Sequence, residues 1–185
     1  MNPHANVTLV LGGARSGKSS FAEQLALERF ASPLYLATAE DTDPEMAERI
    51  AGHRARRGAR WQCVEEPLDL AGALLRGAPT CDGVVVECLT TWVANVLVKE
   101  GEPAFAGRRG ALLAALIESA RPVVLVSNEV GLGVVPEHAL GRAFRDLAGW
   151  LNQDIARLSQ EVAFLVAGLP MWLKKMTEEM PKAEC

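Results

Sequence analysis

Gly12-Gly13-Ala14-Arg15-Ser16-Gly17-Lys18-Ser19 is the stretch that decides how this chain is read. It spells G-x-x-x-x-G-K-S. Val7-Thr8-Leu9-Val10-Leu11 precedes it as a short apolar run with β-branched residues. A helix-like segment follows from Ser19 to about Phe30, with Phe21 and Leu25 one turn apart. Strand, glycine loop and helix, in that order, make a P-loop. The glycines let backbone N–H groups turn inward around phosphate oxygens. The helix behind them presents its positive end to the same anion. In this pattern Lys18 reaches the β- and γ-phosphates and the Ser19 hydroxyl ligates Mg²⁺. The motif speaks for binding a nucleoside triphosphate and is silent about what happens to it. A glycine-rich turn with a chance lysine is the plainer alternative.

Composition narrows the class. The 185 residues suffice for a single domain over 1–185 with a sizeable core, with 1–6 and 174–185 expected as frayed tails. A net charge of -4 supplies no general attraction for nucleic acid. Cys63, Cys81, Cys88 and Cys185 make no C-x-x-C pair and no zinc spacing, which fits a reduced, cytoplasmic setting with Cys63 and Cys88 as small buried hydrophobes. The first six residues do not read as a signal peptide, and no apolar run is long enough to span a bilayer.

Further apolar runs alternate with helical patterns, which is the sequence form of an α/β sheet. Leu34 to Ala37 is a strand, and the polar loop from Thr38 to Thr42 leaves its C-terminal end, where ligands bind in such sheets. Asp43-Pro44-Glu45 starts a helix expected to run to about Arg57 and to end at Gly58. On it, Met46, Ile50 and His53 share a face, and Arg49, Arg56 and Arg57 are within a turn of His53. Two readings stand: a solvated basic face, or a phosphate-binding cluster around a nucleophile. In the second, the arginines disfavour the imidazolium and keep the neutral ring that attack on phosphorus requires.

Gly83 to Glu87 is a buried strand with an acid at its end, the place of a Walker-B carboxylate near Mg²⁺, although Glu87 can instead cap Thr90-Thr91 and the next helix. Helices are expected over 67–75, 91–98, 107–119 and 139–160, a third central strand over 122–126 and a last one over 162–167. Ser127 to Pro136 is a glycine-rich, partly apolar loop at a strand end, which reads equally as a ligand-contacting loop or as an ordered connection. Arg142, Arg145, Asp146 and Asn152 have two readings, a ligand-facing set or, by default, a solvated face.

Together these residues resemble the bifunctional adenosylcobinamide kinase/adenosylcobinamide-phosphate guanylyltransferase family of cobalamin synthesis. The resemblance rests on GGARSGKS at 12–19, YLAT at 35–38, the helix around His53 with Trp61 after it, VECLTTWVANVL at 86–97, SNEVGLGVVP at 127–136 and FRDLAGWLNQ at 144–153. It implies a RecA-like P-loop NTPase fold, with a mostly parallel central sheet flanked by helices. It implies phosphorylation of a corrinoid, adenosylcobinamide, by ATP or GTP. GMP then passes from GTP through a guanylyl-histidine to adenosylcobinamide phosphate. The guanylylated histidine falls on His53. Nucleotide contacts fall on Gly12, Gly13, Ala14, Arg15, Ser16, Gly17, Lys18, Ser19, Ala37, Thr38, Ala39, Arg54, Ala55, Arg56, Arg57, Glu65 and Glu87. A homo-oligomer, at family level a trimer, is also implied. A single-activity P-loop kinase and a RecA-like nucleotide-dependent switch are the competing readings. Only the bifunctional reading expects covalent labelling by GTP.

Overall fold

The computed structural model describes residues 6–40, 58, 60–77 and 80–175, so the helix expected over 43–57 lies outside the described residues. Seven strands form one sheet: β1 (Val7–Gly12), β2 (Pro33–Ala37), β3 (Gln62–Glu65), β4 (Gly83–Glu87), β5 (Val123–Asn128), β6 (Glu161–Val166) and β7 (Leu169–Lys174). Their order is β3-β2-β4-β5-β1-β6-β7, and every pairing is parallel except β6 with β7. Five described helices surround the sheet: α1 (Lys18–Arg29), α2 (Leu70–Arg76), α3 (Leu89–Lys99), α4 (Glu102–Glu118) and α5 (Ala139–Leu158).

The central strands are almost wholly apolar because both of their faces are covered. The period of two is visible in which core each residue joins. Val84 and Val86 pack with α2, α3, α4 and α5, whereas Val85 between them packs toward α1. Val123 and Leu125 divide from Val124 and Val126 in the same way. Trp92 on α3 and Phe105 on α4 are fully buried on the first face, their rings 5.9 Å apart. On the second face α1 contributes small Ala22 and Ala26, and Phe30 closes the end. Parallel register aligns the strand ends: Glu65 pairs with Ala37, Ala37 with Glu87, and Gly12 with Asn128.

Three expectations need correction. Helix α4 begins at Glu102, five residues before the expected Gly107, because Pro103 sits in its first turn, where the missing N–H has no helical partner to lose. Cys63 is exposed, not buried, because β3 is an edge strand of the sheet; among the described cysteines Cys81 is the buried one. Leu169–Lys174 is an edge strand where no strand was expected, and it carries Lys174 into the sheet. Pro170 and the lack of alternation hide it, yet an edge tolerates both. Ala167 (φ 51°) and Gly168 (φ 82°) form the tight turn before it, both in the left-handed conformation that two-residue hairpins favour.

Candidate nucleotide site

The loop between β1 and α1 owes its shape to two glycines. Gly17, at φ 94°, begins α1 with no side-chain cap, so the first N–H groups of the helix remain for an external acceptor. A Cβ on Gly17 would lie 3.1 Å from the Gly168 Cα, and one on Gly12 would lie 2.6 Å from the Leu165 carbonyl oxygen. The β6–β7 hairpin therefore backs the loop, and Gly168 N–H donates to the Ser16 carbonyl at 2.9 Å. Ala14 and Arg15 are exposed, and Arg15 holds φ 55°. The Ser16 hydroxyl is buried with no hydrogen-bond partner among the described residues.

Lys18 is 7% exposed, and its Nζ donates to the Gly13 carbonyl at 2.6 Å. Burial lowers its pKa from the ordinary value; the nearby Glu87 carboxylate works in the opposite direction. An ammonium held at this depth is poorly solvated, so an arriving polyphosphate replaces hydration it has already lost. Ser19 Oγ donates to Glu87 Oε1 at 2.8 Å, joining the first turn of α1 to the end of β4 across the sheet. The alternative of Glu87 as a helix cap is not the contact seen: the side chain that caps α3 is Cys88, whose sulfur accepts from Thr91 N–H. Burial, and after it the Glu87 carboxylate, push the Cys88 thiol above its usual range, so it is no thiolate nucleophile.

A hydroxyl and a carboxylate meeting at a helix N-terminus fit Mg²⁺, which takes one or two protein oxygens and completes its shell with water and phosphate. Among the described residues no group of three His, Cys, Asp or Glu could hold a metal ion alone.

The neighbouring strand ends are tied down by Thr38, a residue the sequence singled out, and by Asn95 and Lys99, which it did not. Thr38 is fully buried; its Oγ1 donates to the Cys88 carbonyl at 2.7 Å and accepts from Cys88 N–H at 2.8 Å. Asn95 on α3 donates to the Thr38 and Pro67 carbonyls, at 2.8 and 3.2 Å, and Lys99 pairs with Glu40. Ala37, Thr38 and Ala39 thus run beside Glu87, and Glu65 lies one strand further out, at the exposed edge. His53 and the run Arg54, Ala55, Arg56 and Arg57 lie outside the described residues.

Beyond β5, Asn128 is held from two helices: its N–H donates to Thr90 Oγ1 at 2.7 Å and its carbonyl accepts from Asn152 Nδ2 at 3.2 Å. Asn152 is therefore not part of a solvated face; it is 6% exposed. The signal for it was available, since Asn152 interrupts the apolar stripe of Leu151 and Ile155. A buried amide on such a stripe must find a partner.

A family model described as cobinamide kinase / cobinamide phosphate guanyltransferase matches residues 8–173. The bifunctional adenosylcobalamin biosynthesis protein CobP of Pseudomonas aeruginosa is 51% identical over 166 residues, covering 90% of this chain and 96% of that protein. The bifunctional adenosylcobalamin biosynthesis protein CobU of Escherichia coli is 40% identical over 179 residues, covering 90% and 98%. Among solved structures, the RadB recombinase superposes with a TM-score of 0.51 at 17% identity, over 86% of this chain and 74% of that one, a likeness of RecA-like fold alone.

Proposed function

The chain belongs to the cobinamide kinase / cobinamide phosphate guanyltransferase family, and on that premise we propose how its residues divide the kinase and GMP-transfer reactions. The observation that carries the reading is the joined pair Ser19–Glu87 beside buried Lys18, at the end of a loop that only glycine can form.

In the kinase step the backbone N–H groups from Gly12 to Ser19 hold the triphosphate. Lys18 neutralises the charge that builds on the transferring γ-phosphoryl group. Ser19 and Glu87 would hold Mg²⁺, which supplies further neutralisation of the β- and γ-oxygens. Thr38 and Asn95 keep the 37–39 loop against the nucleotide. The hydroxyl of adenosylcobinamide attacks phosphorus, and the nucleoside diphosphate leaves. ATP or GTP serves as donor.

In the second reaction His53 attacks the α-phosphorus of GTP. The bond to the β-phosphate oxygen breaks, pyrophosphate departs toward Arg54, Arg56 and Arg57, and a His53–GMP phosphoramidate forms. Adenosylcobinamide phosphate then takes the GMP. Ala55 and Glu65 complete the nucleotide contacts. The chain works as a homo-oligomer, with a trimer as the first expectation, on a corrinoid substrate in the cytoplasm. No described helix is long and apolar enough to cross a membrane.

The test is labelling without corrinoid. Label from α-labelled GTP should remain on the denatured protein in an acid-labile, base-stable bond, and label from the γ-position should not. His53→Ala should abolish both labelling and GMP transfer while sparing the kinase step, since the phosphate loop is untouched. Acid-labile α-label on His53→Ala would place the nucleophile elsewhere.

A further inference from the structure

The segment Ser127-Asn128-Glu129-Val130-Gly131 has no part in the scheme above, yet its backbone is fixed more tightly than a connecting loop requires. Asn128 N–H is held by Thr90 Oγ1 from α3, and its carbonyl by Asn152 Nδ2 from α5. The next N–H, that of Glu129, donates to the Gly12 carbonyl at 3.0 Å. Three elements thus fix where Glu129 leaves the sheet, one residue past the pairing of Gly12 with Asn128 and directly beside the phosphate loop. The fixing uses buried polar groups: Thr90 is 6% exposed, and Asn152 keeps its Oδ1 buried with no hydrogen-bond partner among the described residues. Nothing in the packing of an apolar helix face asks for that amide.

Glu129 itself is only part-buried. Its Oε1 accepts the Gly131 N–H at 2.5 Å, which turns the following loop and orients the carboxylate. Leu132, Val134 and Val135 follow that turn with their side chains in solvent, 83%, 96% and 57% exposed, so the same loop offers an apolar rim next to the carboxylate. Glu87, a second carboxylate near the loop, is engaged by the Ser19 hydroxyl.

We propose that Glu129 is the proton acceptor for the corrinoid hydroxyl in the kinase step, with Thr90 and Asn152 as the residues that position it; this rests on the kinase reading above. As the hydroxyl oxygen forms its bond to the γ-phosphorus, its proton passes to the Glu129 carboxylate. The bond from γ-phosphorus to the bridging oxygen breaks, and its electron pair leaves on the nucleoside diphosphate. Glu129 later returns the proton to water. The exposed apolar side chains of Leu132, Val134 and Val135 offer the loop a surface against which the methylated face of a large macrocycle can rest.

Glu129→Gln tests this, because the amide oxygen still accepts from Gly131 and keeps the turn. With adenosylcobinamide and ATP or GTP, kcat of Glu129→Gln should fall about 10²-fold or more, the lower range for removing a general base. KM for the nucleotide should stay within about threefold. GMP transfer begun from supplied adenosylcobinamide phosphate should stay within about twofold, since its acceptor is already ionised. Asn152→Ser, which shortens the clamp, should lower kinase kcat about tenfold, again without raising KM for the nucleotide. Kinase turnover of Glu129→Gln within threefold of the parent overturns the proposal, and so does an equal loss of both reactions, which would mean a shared structural or nucleotide role. If the parent enzyme itself phosphorylates no cobinamide, the kinase reading fails and the assignment of Glu129 falls with it, whereas an active parent with an unimpaired Glu129→Gln overturns the assignment alone.

Discussion

The two ends of the sheet both carry polar groups and use them in opposite ways. At the N-terminal edge a cleft of about 410 Å³ is lined by Asn6, Thr8, Arg29 and Asp82, among others. Its charges are matched internally. Arg29 grips Glu161 through its two terminal guanidinium nitrogens, at 2.5 and 3.1 Å, and Thr8 joins them. Asp82 accepts the N–H groups of Ser32 and Ala31 at 2.9 and 2.7 Å. At the C-terminal edge the groups are poised for something else: Lys18 is buried with its Nζ on the Gly13 carbonyl, the Ser16 hydroxyl has no partner among the described residues, and α1 starts without a side-chain cap. A cavity with satisfied walls is architecture. Donors kept largely dry beside a loop of backbone N–H groups make an anion site.

That contrast can be broken most directly at Lys18. Lys18→Ala should lower kinase turnover about 10²-fold or more, the scale of removing one electrostatic stabiliser. It should leave the melting temperature unchanged or slightly raised, because a desolvated charge is removed with it. A proton linkage sharpens the same point. The folded pKa of Lys18 lies below the unfolded value of 10.5, so between the two the unfolded chain holds the extra proton and stability rises with pH. Polyphosphate binding should raise that pKa again, so nucleotide affinity should weaken as pH climbs through the apo value. Calorimetry in buffers of different ionisation enthalpy should detect the proton uptake, and Lys18→Met should remove it.

Glu87→Gln should have a smaller effect, about tenfold on kinase turnover. The neutral amide still accepts from Ser19 but serves Mg²⁺ poorly, so higher Mg²⁺ should recover part of the loss. Lost stability with intact turnover would make the Ser19–Glu87 contact structural.

The smallest effects belong to the opposite edge. Arg29→Met should leave both reactions unchanged and cost about 1 kcal/mol at neutral pH, as for a half-exposed ion pair with one shielded partner. For Glu161, burial opposes ionisation, but the hydrogen bonds from Arg29 and Thr8 outweigh it and hold the carboxyl below its usual 4.5. For Asp82 the Ser32 N–H is the main cause of a carboxyl held below 3.8. Both pKa values are depressed on folding, so the stability they contribute is present above the unfolded values and is lost as pH falls through the folded ones. Denaturant titrations of Arg29→Met should therefore show a penalty that shrinks toward low pH. A change in kinase kcat would erase the distinction between the two edges.

Much of this arrangement was legible in the order of residues. A strand, G-x-x-x-x-G-K-S and a helix are local chemistry: the turn, the bare helix end and the adjacent Lys18-Ser19 follow from neighbours along the chain. The central strands were legible because parallel strands buried on both faces become continuous apolar runs, and the acid at the end of one of them marked Glu87. Only the tertiary structure decided what crosses between elements. Which hydroxyl meets Glu87, and which helix supplies the Thr90 and Asn152 clamp, depend on sheet order, and sheet order has no local signature. Asn152 looked like a solvated residue because its reason for burial, the Asn128 carbonyl, is 24 positions away. Strand β7 escaped notice for the same reason: Leu169–Lys174 has no strand period of its own and is extended only because β6 provides the ladder. Local periodicity names the elements; the pairing of groups far apart in the chain decides what they do together.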